Sequence, residues 1–195
     1  MIKLDIEPTT FRYLLGVIPF ALKGGYTSAV NGVCLEGDTN QITAYATDRY
    51  KLARVTIPVE EEIGHFRVLV DAQALAAAVK AVAPLRARGG MVTIEVSDEV
   101  VRIAGNNQTH ELRTMEGDYP RMGKFFQQGH GNVEEILLAP AALKALADSA
   151  QALGAKTSSI QLKFTAPNKP VIATMPLDDN VTFEAVIMPV HRRWA

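Results

Sequence analysis

The chain has 195 residues, 48% of them hydrophobic and 21% charged, with a formal net charge of −1 at pH 7. That composition is ordinary for a soluble globular protein, and the near-zero total argues against a simple basic nucleic-acid binder. No apolar run reaches the roughly 18 residues of a membrane helix, MIKLDIEPTT lacks a signal-peptide core, and the single cysteine, Cys34, forms no internal disulfide, so a cytoplasmic setting is expected.

In chain order, IKLDI predicts a strand. The segment from Pro8 to Leu22 predicts a helix, with Pro8 near its start and Pro19 bending or ending it. VNGVCLEGDTNQITAYAT predicts a hairpin turning at Gly37-Asp38, and LARVTIPV a third strand. EEEIGH (60–65) reads as a solvated linker. The pattern then repeats. FRVLV and a helix from Ala72 precede a hairpin turning at Ser97-Asp98 and the strand THELRTM. After the polar stretch GKFFQQGHGN (123–132) come EEILL, a helix from Pro140, a hairpin turning at Pro167-Asn168 and the strand FEAVIMPV.

Aligned on Glu7, Asp71 and Ala139, the three helices place apolar residues in register: Phe11, Leu75 and Leu143; Leu14, Ala78 and Leu146; Leu15, Val79 and Ala147; Ile18, Val82 and Ala150; Ala21, Leu85 and Leu153. The spacing i, i+3, i+4, i+7 predicts one buried face per helix. The expected fold is α+β, built of three β-α-β-β-β units with helices on one face of antiparallel sheets. Units 1–63 and 64–126 form one expected domain, and 127–195 half of a second.

Charge is unevenly placed. Stretches 9–24, 72–90 and 140–157 hold seven basic residues, Arg12, Lys23, Lys80, Arg86, Arg88, Lys144 and Lys156, against one acid, Asp148. The helical stretches therefore carry +6 and the rest of the chain −7. Between these cations stand small residues, Gly16, Ala76, Ala77, Ala83 and Ala145, read as exposed positions that let a polyanion lie close. Nothing offers base-edge readout, so contact with a nucleic-acid backbone is the expected mode. Catalysis has no support: His65, His110, His130 and His191 are scattered, no phosphate-binding glycine motif is present, and Cys34 in VCL reads as a core residue. Neither a metal nor a cofactor is expected.

Several short stretches resemble one family. ATDRYKLA is similar to the Ala-Thr-Asp-Gly-His-Arg-Leu-Ala stretch in the middle domain of the bacterial sliding clamp, the β subunit of DNA polymerase III. MEGDYPRM (115–122) resembles the Gly-Arg-Phe-Pro-Asp-Tyr segment ending that domain, VIMPV (186–190) the C-terminal Val-Val-Met-Pro-Met-Arg, and VNGV (30–33) the Leu-Asn-Gly-Met segment. Residues 1–126 look like a whole middle domain and 132–191 like the second half of the last. Arg49 stands where the family has glycine, and Tyr50 where it has histidine.

The resemblance implies a DNA-clamp fold and a closed ring of twelve such units around duplex DNA. The helix cations would line its bore and hold DNA without regard to sequence. With three units per chain, a homotetramer is the expected ring; a dimer is the other possible oligomer, but its six units are too few to enclose a duplex. The resemblance also implies a groove for short linear motifs of a DNA polymerase and a clamp loader. Its walls would be Val30, Thr47, Arg49, Tyr50, Lys51, Leu52, Pro120, Lys124, Phe125, Val186, Met188, Pro189 and Val190. The alternative is a non-encircling module that binds replication-factor peptides as a regulator or decoy. HRRWA (191–195) runs past the family's usual end and is expected to be able to fold over the groove.

Overall fold

A computed structural model describes residues 1–22, 29–84, 89–126, 136–154, 159–178 and 180–190, apart from the side chains of Lys124 and Asp178. Among the described residues, nine strands pair antiparallel in two sheets, with short helices packed between them. Strand β1 (Ile2–Ile6) leads into a single helical turn, α1 (Pro8–Phe11), which continues as a 3-10 helix, Arg12–Phe20. Strands β2 (Gly32–Thr47) and β3 (Lys51–Asp71) form a long hairpin, and β3 runs straight into α2 (Ala72–Val82). Strands β4 (Val92–Val96), β5 (Val100–Gly105) and β6 (Gln108–Arg113) follow. The chain then passes through a 3-10 turn at Gly123–Phe126 to α3 (Pro140–Leu153) and to β7 (Gln161–Lys163), β8 (Val171–Asp178) and β9 (Val181–Ile187).

The expected α+β class and antiparallel pairing are present, but the sequence repeat is not the sheet unit. The first unit is divided between the two sheets. β1 pairs with β4 in a four-stranded sheet of order β1-β4-β5-β6, while β2 and β3 join the last three strands in a sheet of order β2-β3-β9-β8-β7. β3 lies against β9 in register, Leu52 opposite Val186 and Val55 opposite Phe183. One face of each sheet contributes to a shared core with the helices. The other face of the five-stranded sheet carries a second cluster, Cys34, Leu52, Leu69, Ile172 and Val186, covered by Tyr119, Met122 and Phe126 from the segment after β6.

Several expectations need correction. First, no turn occurs at Gly37-Asp38: β2 continues through it, with register shifts between Gly37 and Thr39 and between Thr39 and Gln41. The Phe66 ring on β3 lies over Gly37, where a Cβ would come within 2.2 Å of it. The glycine there accommodates a cross-strand aromatic rather than a reversal. Second, residues 60–65 are no linker but part of β3, with Glu60, Glu61 and Glu62 exposed on it.

Third, the first helix is mostly 3-10, and its buried stripe runs Phe11, Leu14, Val17, Phe20, none more than 1% exposed. A period of three replaces the α period because i and i+3 eclipse in a 3-10 helix. Ile18, assigned to the buried face, is only half-buried. Fourth, α3 is rotated by about one position. It buries Ala142, Ala145, Leu146, Ser149 and Leu153, leaving Leu143 45% exposed.

The cause of that rotation also overturns the reading of the small residues. The Ser149 hydroxyl lies 2.7 Å from Gly16 O and 2.9 Å from Ala145 O, and Leu153 occupies the space a Cβ on Gly16 would need. Gly16, Ala76, Ala83 and Ala145 are all buried. They are small because neighbouring elements pack closely against them. Of the five, only Ala77 is exposed.

Candidate functional site: an apolar groove at the end of the long hairpin

The β2–β3 hairpin reverses at Asp48-Arg49-Tyr50, between the paired residues Thr47 and Leu52. Local side chains fix this turn. Asp48 Oδ1 accepts from the backbone N–H groups of Tyr50 (3.1 Å) and Lys51 (3.0 Å), an arrangement aspartate favours in turns. The Thr47 hydroxyl donates to Lys51 O at 2.8 Å and accepts from Arg49 N at 3.1 Å. Arg49 takes a positive φ of 80°, a left-handed conformation that glycine adopts more readily. On the far side, Met188 N donates to Tyr50 O at 3.0 Å, so the chain leaving β9 is tied to the same turn.

Around this turn opens a cavity of about 250 Å³, lined by Val30, Thr47, Arg49, Tyr50, Lys51, Leu52, Pro120, Met122, Phe125, Val186 and Met188. Its walls come from the 3-10 turn Ala29–Asn31 before β2, the hairpin, the segment after β6 and the end of β9 with Met188. Ten of the thirteen expected residues line it. Pro189 and Val190 lie just beyond, where Val190 N bonds to Leu137 O at 2.9 Å. The Lys124 side chain lies outside the described residues.

Met122 is the lining residue that sequence reasoning missed. Its signal was available: it is the apolar residue two places after Pro120 in MEGDYPRM. Tyr50, Met188 and Val190 are among the large hydrophobic side chains left exposed, at 76%, 42% and 46%. All three stand at or beside the opening.

Beside the groove, side chains of β2, β3, β9 and the segment after β6 are bonded together. Arg54 and Glu184, directly opposite on β3 and β9, bond at 2.6 Å through Nε, and the Arg54 guanidinium lies 4.3 Å from the centre of the Phe126 ring. The Tyr119 hydroxyl donates to Tyr45 O at 3.2 Å, and Arg67 donates to Tyr119 O and to Glu36. Burial raises the pKa of Tyr119 and pushes the Cys34 thiol up to about 12, so both stay neutral. Cys34 is buried, as expected for a core residue.

The two groove cations differ. Lys51 Nζ is paired with Asp48 at 2.9 Å, bonds Pro19 O at 3.0 Å and lies 5.2 Å from the Phe20 ring centre. Its charge is satisfied within the fold. Arg49 is exposed, and among the described residues its guanidinium has no partner.

The helix cations are also unequal. Arg12 is half-buried and donates to Ala83 O at 3.1 Å, at the C-terminal end of α2. Lys144 is exposed and paired with Asp148 at 2.7 Å. Lys80 is exposed without such a partner among the described residues. Lys23, Arg86, Arg88 and Lys156 lie outside the described residues, as does HRRWA. Among the described residues no group of three or more metal-ligating side chains occurs, and no helix is long and apolar enough to cross a membrane.

Residues 5–121 match the family model of the DNA polymerase III beta subunit, central domain. The chain belongs to the DNA polymerase III beta subunit family. No curated protein matches it by sequence comparison. The fold is similar to that of the DNA polymerase sliding clamp from Bacillus subtilis, at 14% identity and a TM-score of 0.78 over 98% of this chain and 64% of that one. A DNA polymerase III beta subunit from Thermotoga maritima gives 14% and 0.76, over 99% of this chain and 66% of that one. The Pseudomonas aeruginosa sliding clamp, in a structure bound to griselimycin, gives 14% and 0.75, over 97% and 65%. The chain thus spans just under two thirds of these beta subunits, and at this identity the likeness establishes the sliding-clamp fold.

Proposed function

We propose that this chain is a DNA sliding clamp, a processivity factor that encircles duplex DNA as a homo-oligomeric ring in the cytoplasm. It would tether a DNA polymerase, and a clamp loader in turn, through short linear motifs seated in the apolar groove. The observation that carries this reading is the groove itself, in a chain whose family is that of the beta subunit. An apolar cleft with exposed aromatic and methionine side chains at its mouth suits an extended segment with hydrophobic anchors. In this reading residues 1–126 act as a whole clamp domain and 127–195 as half of another. The chain performs no chemistry of its own. DNA would be held by backbone contact alone, with Arg12, Lys23, Lys80, Arg86, Arg88, Lys144 and Lys156 as the proposed contacts.

Solution mass by light scattering coupled to size exclusion tests ring formation. Three units per chain make four chains the preferred ring, so a stable species near four times 21.2 kDa is expected, retained on circular but not on linear DNA. A chain that stays monomeric or dimeric would remove encirclement. The second reading, a non-encircling module that binds replication-factor peptides, draws on one observation. Arg12 and Lys144 turn their charge to Ala83 O and Asp148, which weakens the cationic face.

A further inference from the structure

We infer that Arg49 makes the groove selective for a peptide carrying an acidic residue beside its hydrophobic anchors. The inference rests on reading the groove as a peptide site and goes beyond it, from apolar capture to charge selection.

Three observations converge on Arg49. Its position is rigid: the turn is closed by Thr47 and Asp48, and its neighbour Tyr50 is tied to the strand end at Met188. Its conformation is unfavourable. A left-handed φ of 80° burdens any residue with a Cβ, and such strain is stored at functional positions. Its charge is uncompensated. Asp48, the carboxylate next to it, is already committed to two backbone N–H groups and to Lys51. Lys51 is in turn neutralised, so among the described residues lining the groove Arg49 carries the one free charge, and it is positive. The rest of that lining is apolar apart from Thr47, whose hydroxyl is satisfied, and the Tyr50 phenol.

An occupant that buries apolar side chains in this cleft therefore meets the Arg49 guanidinium at its edge. An acidic side chain there gains a charge-assisted, bidentate-capable partner, and a basic one is repelled. The cationic segment HRRWA of this chain is the wrong sign for that edge. The expected occupant is a short extended segment of another protein, with aliphatic and aromatic anchors and at least one aspartate or glutamate.

The test is fluorescence anisotropy with the full chain and labelled short peptides carrying aliphatic and aromatic anchors. One aspartate is walked through the remaining positions, each peptide matched with its asparagine counterpart, and HRRWA serves as a further probe. At one position the aspartate peptide should bind roughly three- to tenfold more tightly, a preference that shrinks with added salt. Arg49→Gly should bind both members of that pair alike, and Arg49→Glu should reverse the preference towards a lysine peptide. Equal binding by the native chain at every position, a preference that survives in Arg49→Gly, or tighter binding of HRRWA would overturn the charge selection while leaving the groove in place. Failure of every peptide to bind would overturn the groove reading and this inference with it.

Discussion

Arg49 and Cys34 each make a residue-scale prediction. Replacing Arg49 by glycine relieves the left-handed backbone without breaking the Thr47 and Asp48 bonds, which use backbone groups of the turn. The variant should be more stable by roughly 1 kcal/mol, after the extra freedom of glycine in the unfolded chain is counted. A urea midpoint lower than that of the native chain would refute the strain. Cys34 predicts a pH dependence. Its thiol is held neutral up to about pH 12 in the fold, against an ordinary value of 9.0 for a solvated thiol. Above pH 9 the unfolded chain loses that proton and the folded chain keeps it, so stability present below pH 9 drains away as pH rises towards 12. The slope from this group is at most about 1.4 kcal/mol per pH unit. Urea midpoints at pH 8, 9 and 10 should fall more steeply for the native chain than for Cys34→Ala, and parallel slopes would refute the burial effect.

Much of the site was readable at this scale because ATDRYKLA, MEGDYPRM and VIMPV each carry recognisable residue strings. What stayed hidden depends on partners far apart in the chain. Nothing near Lys51 in sequence announces that its ammonium group turns to Pro19 O and Phe20. Arg12 likewise reads as a surface cation until the carbonyl of Ala83 appears beside it.

At the scale of elements, the contact between the 3-10 helix and α3 is the most exposed to substitution. Gly16→Ala would bring a methyl within 2.7 Å of Leu153, and the side chain, buried itself, must shift. We expect a loss of roughly 1–3 kcal/mol. Combining it with Leu153→Ala should cost less than the sum of the two single changes, because the smaller side chain vacates the space. Strict additivity in a double-mutant cycle would show that the helices are not in the contact described.

The helices were legible from apolar periodicity and from the prolines that open the first and third, but the two long strands β2 and β3 read as four shorter ones. Element geometry was not legible. Whether Phe11–Phe20 repeats at 3.6 or 3.0 depends on what it packs against, and both stripes read as apolar. The false turn at Gly37 arose because glycine signals a reversal and an aromatic cover equally well, and only Phe66 on the partner strand distinguishes them.

For the whole molecule, the division of the first unit between two sheets predicts cooperative unfolding. β1 is held by β4, β3 by β9, and the Phe20 and Phe183 rings pack tilted at 58°, 5.9 Å between centres, in the shared core. Residues 1–126 and 127–195 should therefore unfold together. Far-ultraviolet circular dichroism and tyrosine fluorescence should give coincident urea transitions, whereas two separated transitions would mean that the last strands form an independent body. The repeat itself was visible in the sequence, but its sharing of strands was not, because register between β3 and β9 is set by tertiary packing rather than by any local pattern.

The pairing of Arg54 with Glu184 spans 130 residues of chain. Closing so long a loop is slow relative to local structure, and it has to wait until the last strand has been made. During synthesis, the hairpin turn with Arg49 and Tyr50 leaves the ribosome long before Val186 and Met188 exist to complete the cleft. A chain cut short at any point before β9 has the turn but not the cleft. Occupancy of that cleft is thus a proof-reading step in time: nothing can be captured there until translation has passed Met188.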